Sequence, residues 1–302
     1  RRAFFDAVAA QQLQGYFAQV QEAAALSHEL ADRMQKAGNF SALDQGREQS
    51  FYLDAQRQSA AAQHQVTLTQ AQLRRALGVE GSAPLLLPQR LPDLPAQLLP
   101  LPQAAQQAID QRLDVLLAKR ETEALAQSLG LVQSTRLVNV LQAGYQNKSA
   151  SGLADSQGYA LELELPLFDF GSTKVARAEA VYRQSMEHTR AVALQAQAEL
   201  AQSYSAYQTR YTVARQYRDE VLPLRQRMGQ ENMLRYNGML ISVFDLLKDA
   251  QEQTRDVARA VAALHDFWQA QTDLQSAMTA GSPASMATEG LGLANDGGAK
   301  NE

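Results

Sequence analysis

The stretch that decides the fold is Gly158–Ala178, which reads GYALELELPLFDFGSTKVARA. Its leucines alternate with small, acidic or turn-forming residues, and this period of two predicts a strand with one apolar and one acidic face. Pro166, Asp169 and Gly171 end the alternation, and from Ser172 the chain meets no Gly or Pro before Pro223. The strand therefore leads into a helix of about fifty residues, roughly 75 Å long. Such a helix is unusual in a globular domain and typical of a helical tube.

Composition excludes several classes of function. The 302 residues carry a net charge of −4 without a cluster of Lys and Arg, so no nucleic-acid partner is expected. The absence of cysteine rules out disulfides, thiolate catalysis and Cys-based metal sites. No apolar run is long enough for a transmembrane helix, so a membrane role would have to use strands. The sequence has no catalytic triad and no histidines at metal-ligand spacing, so neither an enzyme nor a cofactor is predicted.

Residues 1–78 predict a helical hairpin, the second part of a first structural repeat. A spacing of seven, typical of coiled coils, runs through two lines: Ala9, Tyr16, Ala23, Leu30 and Ala37, and Leu13, Val20, Ser27 and Met34. Gly38 and Asn39 should end the first helix, and Ser41 or Asp44 should cap the second, which runs to Leu77. Because the chain opens in helical register without Met, Arg1 is expected to lie inside a longer protein.

The Pro- and Leu-rich segment 79–102 is expected to be an extended connector that packs against helices. Residues 103–281 predict a second repeat: a helix to Gly130, a β-hairpin over 131–167 and a long helical hairpin over 172–281, which Pro223 should kink or loosen. The packing line of its first helix is Met186, Ala193, Leu200, Tyr207, Ala214, Val221 and Met228. The tail, 282–302, is predicted to be disordered.

An internal repeat relates the two helical tips. The alignments are Phe4 with Tyr204, Gly38 with Gly238 and, after one inserted residue, Ser41 with Ser242, Asp44 with Asp245 and Leu73 with Leu274. Residues 3–78 therefore repeat residues 203–281. Since a helix and two strands precede the second copy, the same elements are expected upstream of the first.

These features together resemble the outer-membrane efflux protein (TolC) family. The motifs are LELPLFDFG at Leu163–Gly171, AIDQRLDVLLA at Ala108–Ala118, and YNGMLISVFDLLKDA at Tyr236–Ala250, of which AGNFSALDQ at Ala37–Gln45 is a weaker copy. The resemblance covers about residues 3–281 and rests on order, spacing and duplication. It implies a mainly α fold of long antiparallel coiled-coil hairpins, with a β-hairpin that contributes to a trimeric transmembrane β-barrel continued by an α-helical barrel.

The resemblance also implies a function. Members of the family are exit ducts of tripartite efflux pumps or type I secretion systems in the outer membrane of Gram-negative bacteria, and they extend into the periplasm. The expected partners are two further copies of the chain, a periplasmic adaptor (membrane fusion) protein, an inner-membrane transporter and outer-membrane lipid. The sequence pattern is the same whether such a duct exports drugs, metal ions or polypeptides.

In the family, acidic side chains near the second tip constrict the periplasmic aperture. Asp245 falls at such a position, with Ser242, Lys248 and Asp249 beside it, and Lys248 stands where the family often has a second acid. A ring of three carboxylates would attract cations, and each would raise the pKa of the others. The alternative role for Asp245 is that of a carboxylate favoured by the dipole at a helix N-terminus.

Other positions carry further predictions. The expected adaptor contacts are Gly38, Asn39, Ser41, Asp44, Gly238, Met239 and Leu240, of which the glycines also read as helix C-caps. Glu162 and Glu164 are expected to line the barrel lumen, or else the wet face of an ordinary hairpin. Met228, Met233 and Met239 are flexible packing residues or, alternatively, a path for a soft metal such as Cu(I).

Two other kinds of protein also use long helical hairpins. A periplasmic adaptor should contain lipoyl and small β-barrel domains rich in Gly and Val, and the sequence shows no such segments. A soluble periplasmic coiled-coil scaffold accounts for the helices but leaves LELELPLFDFG without a purpose. The exit duct is therefore the leading interpretation, and the scaffold or adaptor is the alternative.

Overall fold

The computed structural model describes residues 1–38, 40–79, 85–98, 100, 111–134, 140–148, 156–164 and 172–279, which are mainly helical. The elements are α1 (Arg2–Lys36), α2 (Ala42–Leu77), α3 (Leu113–Ser134), β1 (Val140–Lys148), β2 (Ser156–Glu164), α4 (Ser172–Gln216), α5 (Leu222–Asn237) and α6 (Val243–Thr279). A π-helical turn, Tyr217–Val221, joins α4 to α5. Among these helices, none combines the length and the apolar character that crossing a bilayer requires.

The chain divides into two compact units. The first unit is Arg1–Pro100 with Gln202–Gln275, and the second is Leu101–Ala201 with Ser276–Glu302. Both helical tips belong to the first unit, whereas α3 and the β-hairpin belong to the second.

Helices α1 and α2 form the predicted antiparallel hairpin, and small side chains pack at the contact between them. The buried positions include Ala10, Ala24 and Ala31 of α1 and Ala55 and Ala62 of α2. The first predicted heptad line holds at Ala9 and at the half-buried Tyr16 but is wrong from Ala23 on, since Ala23 and Ala37 are exposed and Leu30 is 56% exposed. The packed line instead runs through Ala10, Ala24 and Ala31, one residue further along. Alanine at these contact positions lets the two helices approach closely. The second predicted line is half-buried at Leu13, Val20, Ser27 and Met34.

Polar contacts fix the register of this hairpin near its tip. Glu48 is buried in α2, and one of its carboxylate oxygens accepts a hydrogen bond of 2.8 Å from the Ser27 hydroxyl of α1. One turn further on, the rings of His28 and Tyr52 stack with their centroids 5.3 Å apart. The buried carboxylate is thus satisfied by the opposite helix, as a buried polar group must be.

The internal repeat is visible in the packing of α2 and α6. Ala62 and Leu73 are buried in α2, and the residues 201 positions later, Ala263 and Leu274, are buried in α6. Positions that the predicted repeat makes equivalent are therefore buried in both helices. The division of the chain into two repeats stays a prediction.

The loosening predicted at Pro223 is confirmed, and it takes the form of the π-helical turn immediately before α5. Proline has no N–H to donate, so it is tolerated in the first turn of the helix that begins after the interruption. The predicted packing line is buried at Leu200, Tyr207 and Ala214 but 40% exposed at its two ends, Met186 and Met228. A strict spacing of seven drifts around a straight α-helix by about 20° per heptad, so a long line leaves the contact at both ends.

The described part of the connector packs against the helices of the first unit, as predicted. Leu91 and Leu94 are buried, and Leu91 belongs to an apolar cluster with Val8 and Val261. The indole Nε1 of Trp268 donates to the carbonyl of Pro92 over 2.9 Å. The connector is therefore part of the core of this unit, and residues 80–84, 99 and 101–102 lie outside the described residues.

The boundary between helix and hairpin differs from the prediction. Helix α3 continues through Gly130 to Ser134, so the first strand does not begin at residue 131. An interior glycine costs a helix only about 1 kcal/mol relative to alanine, and the apolar residues Leu131 and Val132 continue the α3 sequence. The described strands pair antiparallel from Val140 opposite Glu164 to Lys148 opposite Ser156.

Arg112 is a fully buried polar residue of the second unit, with 1% of its side chain exposed. Its guanidinium donates to Asp114 at 2.6 Å and Glu199 at 2.9 Å, and to the carbonyl oxygens of Ala196 at 3.3 Å and Ala277 at 3.1 Å. Burial lowers the pKa of Arg112, but the hydrogen bonds to the two carboxylates outweigh burial and leave that pKa raised. Arg112 therefore stays charged and ties together the start of α3, the body of α4 and the last turn of α6.

Candidate functional site at the second helical tip

The second tip begins where α5 ends in a tight, hydrogen-bonded turn. The amide of Leu240 donates to the carbonyl of Arg235 at 2.8 Å, and the amide of Met239 donates to that of Tyr236 at 2.9 Å. Met239 has a φ of +56°, in the left-handed region. This arrangement is a Schellman motif, which satisfies carbonyl groups that a helix end would otherwise leave unpaired.

The first tip has its left-handed residue at Gly38, with a φ of +77°. Gly38 follows the C-cap residue Ala37, and its amide donates to the carbonyl of Gln35 at 2.9 Å. Its structural equivalent is Met239, because Gly238 is the C-cap of α5 and has a φ of −81°. The predicted alignment of Gly38 with Gly238 is therefore wrong by one residue, and Asn39 lies outside the described residues.

The second repeat contains one residue more than the first, and with this alignment the added residue must lie before the tip. Gly38 and Met239 are 201 positions apart, whereas the aligned Phe4 and Tyr204 are 200 apart. A π-helical turn holds one more residue than an α-helical turn. The turn at Tyr217–Val221 is thus where the second repeat accommodates its added residue.

Replacing Met239 with glycine is expected to stabilise the second tip. A side chain in the left-handed conformation costs about 1 kcal/mol, and glycine removes that cost. The gain in the free energy of unfolding is measured by urea denaturation followed by circular dichroism. Gly238→Ala is the control and should be nearly neutral, because a methyl group there meets its neighbours at ordinary contact distances of 3.5 Å or more. A destabilised Met239→Gly variant would contradict the assignment of strain.

Both tips are followed by a serine N-cap, which at the second tip is part of a full capping box. The amide of Asp245 donates to the Ser242 hydroxyl at 3.3 Å, and the amide of Ser242 donates back to the Asp245 carboxylate at 3.1 Å. At the first tip, the amide of Asp44 donates to the Ser41 hydroxyl at 3.2 Å. Ser41 and Ser242 therefore start α2 and α6 in the same way, as the sequence predicts for Ser41.

The carboxylate of Asp245 is exposed and held in its ionised form. The hydrogen bonds from the hydroxyl and amide of Ser242, with the nearby charge of Lys248, lower the pKa of Asp245. The stabilisation that this pair gives the start of α6 is therefore present above the carboxyl's ordinary pKa and is lost as the pH falls through the lowered value. Asp245 lies in the first turn of α6, which is the position that its alternative role, a carboxylate favoured by the helix dipole, requires.

Of the predicted gate residues, the structure brings Asp245 and Lys248 together in one groove and separates Asp249 from them. The groove lies between the starts of α2 and α6, and its other charged lining residues include Arg47, Asp54 and Arg255. Asp249 is only 11% exposed and faces α5, where its carboxylate lies 3.8 Å from the guanidinium of Arg225. Asp249 therefore belongs to a different cluster.

That cluster is centred on Arg225, which the sequence analysis missed. Its guanidinium lies 2.5 Å from Asp256 and 3.0 Å from Glu252, in addition to Asp249. The hydrogen bond to Asp256 is the main reason that the pKa of Arg225 is raised. One guanidinium on α5 thus pairs with three carboxylates on α6. These ion pairs hold α5 and α6 together between the π-helical turn and the second tip.

The second tip also exposes large apolar side chains. Met239 is 93% exposed and Leu240 is 77% exposed. Met228 and Met233 are partly exposed as well, but they are five positions apart on α5 and so project about 140° apart around the helix. A site shared by these two thioethers has no support in this geometry.

The predicted lumen residues can be placed by register alone. Glu162 pairs with Gln142, and Glu164 pairs with Val140 at the end of the described hairpin. Their contribution to a barrel lumen stays a prediction.

No protein-family model matches the sequence, and no curated protein matches it. Solved structures do match the fold. A membrane protein from Pseudomonas aeruginosa superposes with a TM-score of 0.79 at 19% identity, over 93% of this chain and 65% of that one. The outer-membrane protein VceC from Vibrio cholerae gives a TM-score of 0.74 at 17% identity, over 92% and 68%. The open state of the MtrE outer-membrane channel from Neisseria gonorrhoeae gives 0.73 at 15%, over 93% and 65%.

These likenesses show that the chain has the fold of outer-membrane channels. The predicted resemblance is confirmed for the helical part of that fold, which the described residues contain. The chain spans about 65% of the length of the Pseudomonas aeruginosa protein that it matches.

Proposed function

We propose that the full-length protein is an outer-membrane channel of a Gram-negative bacterium, the exit duct of a tripartite efflux pump or a type I secretion system. The observation that carries this proposal is the agreement of fold with outer-membrane channels over more than nine-tenths of the chain. The channel would be a homotrimer with its β-barrel in the outer membrane and its helical tips in the periplasm. It would transport a substrate without transforming it, and the solved channels of this fold support that reading.

The two tips are the proposed docking points for a periplasmic adaptor protein, which would link the channel to an inner-membrane transporter. The exposed Met239 and Leu240 support this role, because large apolar side chains at the end of a soluble hairpin mark an interaction site. Gly38, Ser41 and Asp44 of the first tip and Gly238 of the second complete the proposed contact. The serine N-caps would keep these tips ordered while the adaptor is absent.

Asp245 is proposed to line the periplasmic aperture, with Ser242 and Lys248 beside it. Capping and gate lining are compatible, since both capping hydrogen bonds go to one oxygen, Oδ2, of an exposed carboxylate. In a trimer the three Asp245 carboxylates would favour cations at the mouth. The repulsion among them would oppose the lowering of the pKa that Ser242 causes.

The test is the ion selectivity of the full-length protein in planar lipid bilayers. Asp245→Asn is expected to lower the preference for cations several-fold, because it removes all three charges from the narrowest ring. The matched control is Asp44→Asn, which changes the equivalent capping residue of the first repeat. Both variants lose a capping carboxylate, so only a charge at the aperture makes their selectivities differ. Equal selectivity of the two variants would contradict the gate assignment.

A second measurement separates the channel from the soluble scaffold. The full-length protein is expected in the outer-membrane fraction, and the detergent-extracted particle is expected to have the mass of three chains by light scattering. A soluble monomer or dimer would overturn the channel and leave the coiled-coil scaffold as the better account.

A further inference from the structure

The second tip has a methionine where the end of a helix favours glycine. Met239 has a φ of +56°, and the equivalent residue of the first tip, with a φ of +77°, is Gly38. A side chain in this region strains the backbone. The turn itself does not need that side chain, because its hydrogen bonds are donated by the backbone amides of Met239 and Leu240. Local strain that a folded chain retains points to a function for the residue that causes it.

Met239 also has the most accessible thioether in the part of the chain that the structure describes. Met239 is 93% exposed, whereas Met228 is 40% exposed and Met233 is 49% exposed. Met34 of α1 and Met278 of α6 are half-buried. Because oxidation of a side chain depends on access to its sulfur, a small oxidant in solution reaches Met239 first.

The thioether gives this tip a property that its apolar neighbour lacks. Leu240, which is 77% exposed, presents an apolar surface that mild oxidants leave unchanged. Methionine is converted by the same oxidants into a polar sulfoxide, and methionine sulfoxide reductases restore it. The tip therefore carries one apolar side chain of fixed character beside one whose polarity can be switched.

We propose that Met239 is a site of reversible oxidation and that its sulfoxide weakens the docking of the second tip. The oxidant is a small two-electron oxidant of the class of hypochlorous acid. The sulfur lone pair attacks the chlorine and releases hydroxide, and water then adds to the sulfur and displaces chloride. The sulfur is oxidised by two electrons, the chlorine is reduced by two, and one proton and one chloride are released in total. The inference rests on the proposed function only for the partner at the tip.

The effect on docking follows from the change in polarity. A docked tip covers the side chain of Met239, and a sulfoxide oxygen buried without a hydrogen-bond donor costs free energy. Docking therefore favours the thioether and, while it lasts, keeps oxidants away from the sulfur. Oxidation acts on undocked channels and keeps them undocked until the sulfoxide is reduced.

The first test is mass spectrometry of the full-length protein in detergent after treatment with substoichiometric hypochlorous acid. The sulfoxide is expected to form several-fold faster at Met239 than at Met228 or Met233, because those two side chains are about half as exposed. Incubation with methionine sulfoxide reductases should then remove it. Equal rates at the three residues would overturn the assignment of Met239, and a sulfoxide that the reductases leave in place would overturn the reversibility.

The second test follows docking in cells that produce the full-length protein with a benzophenone photo-cross-linker in place of Asn237, the exposed last residue of α5. Illumination links the tip to the protein that lies against it. After a pulse of hypochlorous acid, the cross-linked band should fall several-fold with Met239 present and should keep its intensity in Met239→Leu, each compared with itself before the pulse. The matched control is Met233→Leu, which removes an exposed thioether of α5 and should leave the response to the pulse intact.

The outcomes separate this inference from the proposed docking. A band that persists after Met239 is fully oxidised would overturn the effect on docking and leave the docking point in place. A band that falls equally in Met239→Leu would overturn the role of Met239 as the switch. The absence of a cross-linked band before the pulse would overturn docking at this tip, while mass spectrometry would still decide whether Met239 is the oxidised residue.

Discussion

Arg112→Leu is expected to lower the free energy of unfolding by about 3–5 kcal/mol, the range for removing one partner of a buried ion pair. The variant leaves Glu199, which is 17% exposed, without its cation. It also removes the donor to the carbonyl of Ala277, in the last turn of α6, where a helix cannot satisfy its own carbonyl groups. Urea unfolding followed by circular dichroism measures the loss.

The matched control is Arg120→Leu on the same helix. Arg120 pairs with Glu123 one turn away, and both side chains are largely exposed. A surface pair of this kind contributes less than about 1 kcal/mol. Arg112→Lys should fall between the two, because lysine keeps the charge but cannot reach two carboxylates and two carbonyls with one ammonium group. If Arg112→Leu unfolds at the same urea concentration as Arg120→Leu, the buried ion pairs of Arg112 have no net effect on stability.

Arg225→Leu is expected to loosen the second hairpin, at a cost of about 2–3 kcal/mol, below the full range for buried pairs because Arg225 is 21% exposed. The variant leaves Asp249, Glu252 and Asp256 on one face of α6 without their shared cation. Their mutual repulsion adds to the loss of the ion pairs with Arg225. Hydrogen exchange at the amides of α5 and α6 locates the opening.

Arg235→Leu is the control for this prediction. Arg235 lies on the same helix and pairs with Glu231, and both side chains are more than half exposed. Its removal should change hydrogen exchange little. An Arg225→Leu variant with the same hydrogen exchange as Arg235→Leu would show that Arg259, which also contacts Asp256, suffices to hold the hairpin.

Much of the helical fold could be predicted because it rests on local signals. The end of α2 at Leu77 follows from Gly78, and the capping of α2 follows from Ser41 and Asp44. The end of α3 could not be predicted, because a glycine ends a helix only where the chain turns, and Gly130 sits within a continuing helix. The packed line of α1 was missed by one residue because heptad spacing alone does not decide between adjacent positions of similar apolar character.

The candidate site was predictable at the level of motifs and not of contacts. The Ser242–Asp245 pair has the spacing of a capping box, and its geometry follows directly. Arg225 and its three acids are 24 to 31 positions apart across a hairpin, so their meeting depends on where α5 and α6 lie. The left-handed residue of the second tip gave no such signal, because glycine favours that conformation but the chain has Met239 there, one residue after the C-cap Gly238.

The π-helical turn at Tyr217–Val221 has a consequence for how this chain can change in length. An added residue within the continuous helix α1 would turn everything beyond it by about 100°, and Ala24 and Ala31 would leave the contact with α2. In the second repeat the widened turn absorbs the added residue, so the caps that follow still match those of the first tip. We therefore expect this turn to tolerate insertions and deletions, and channels of the same fold that differ in helix length should differ there first.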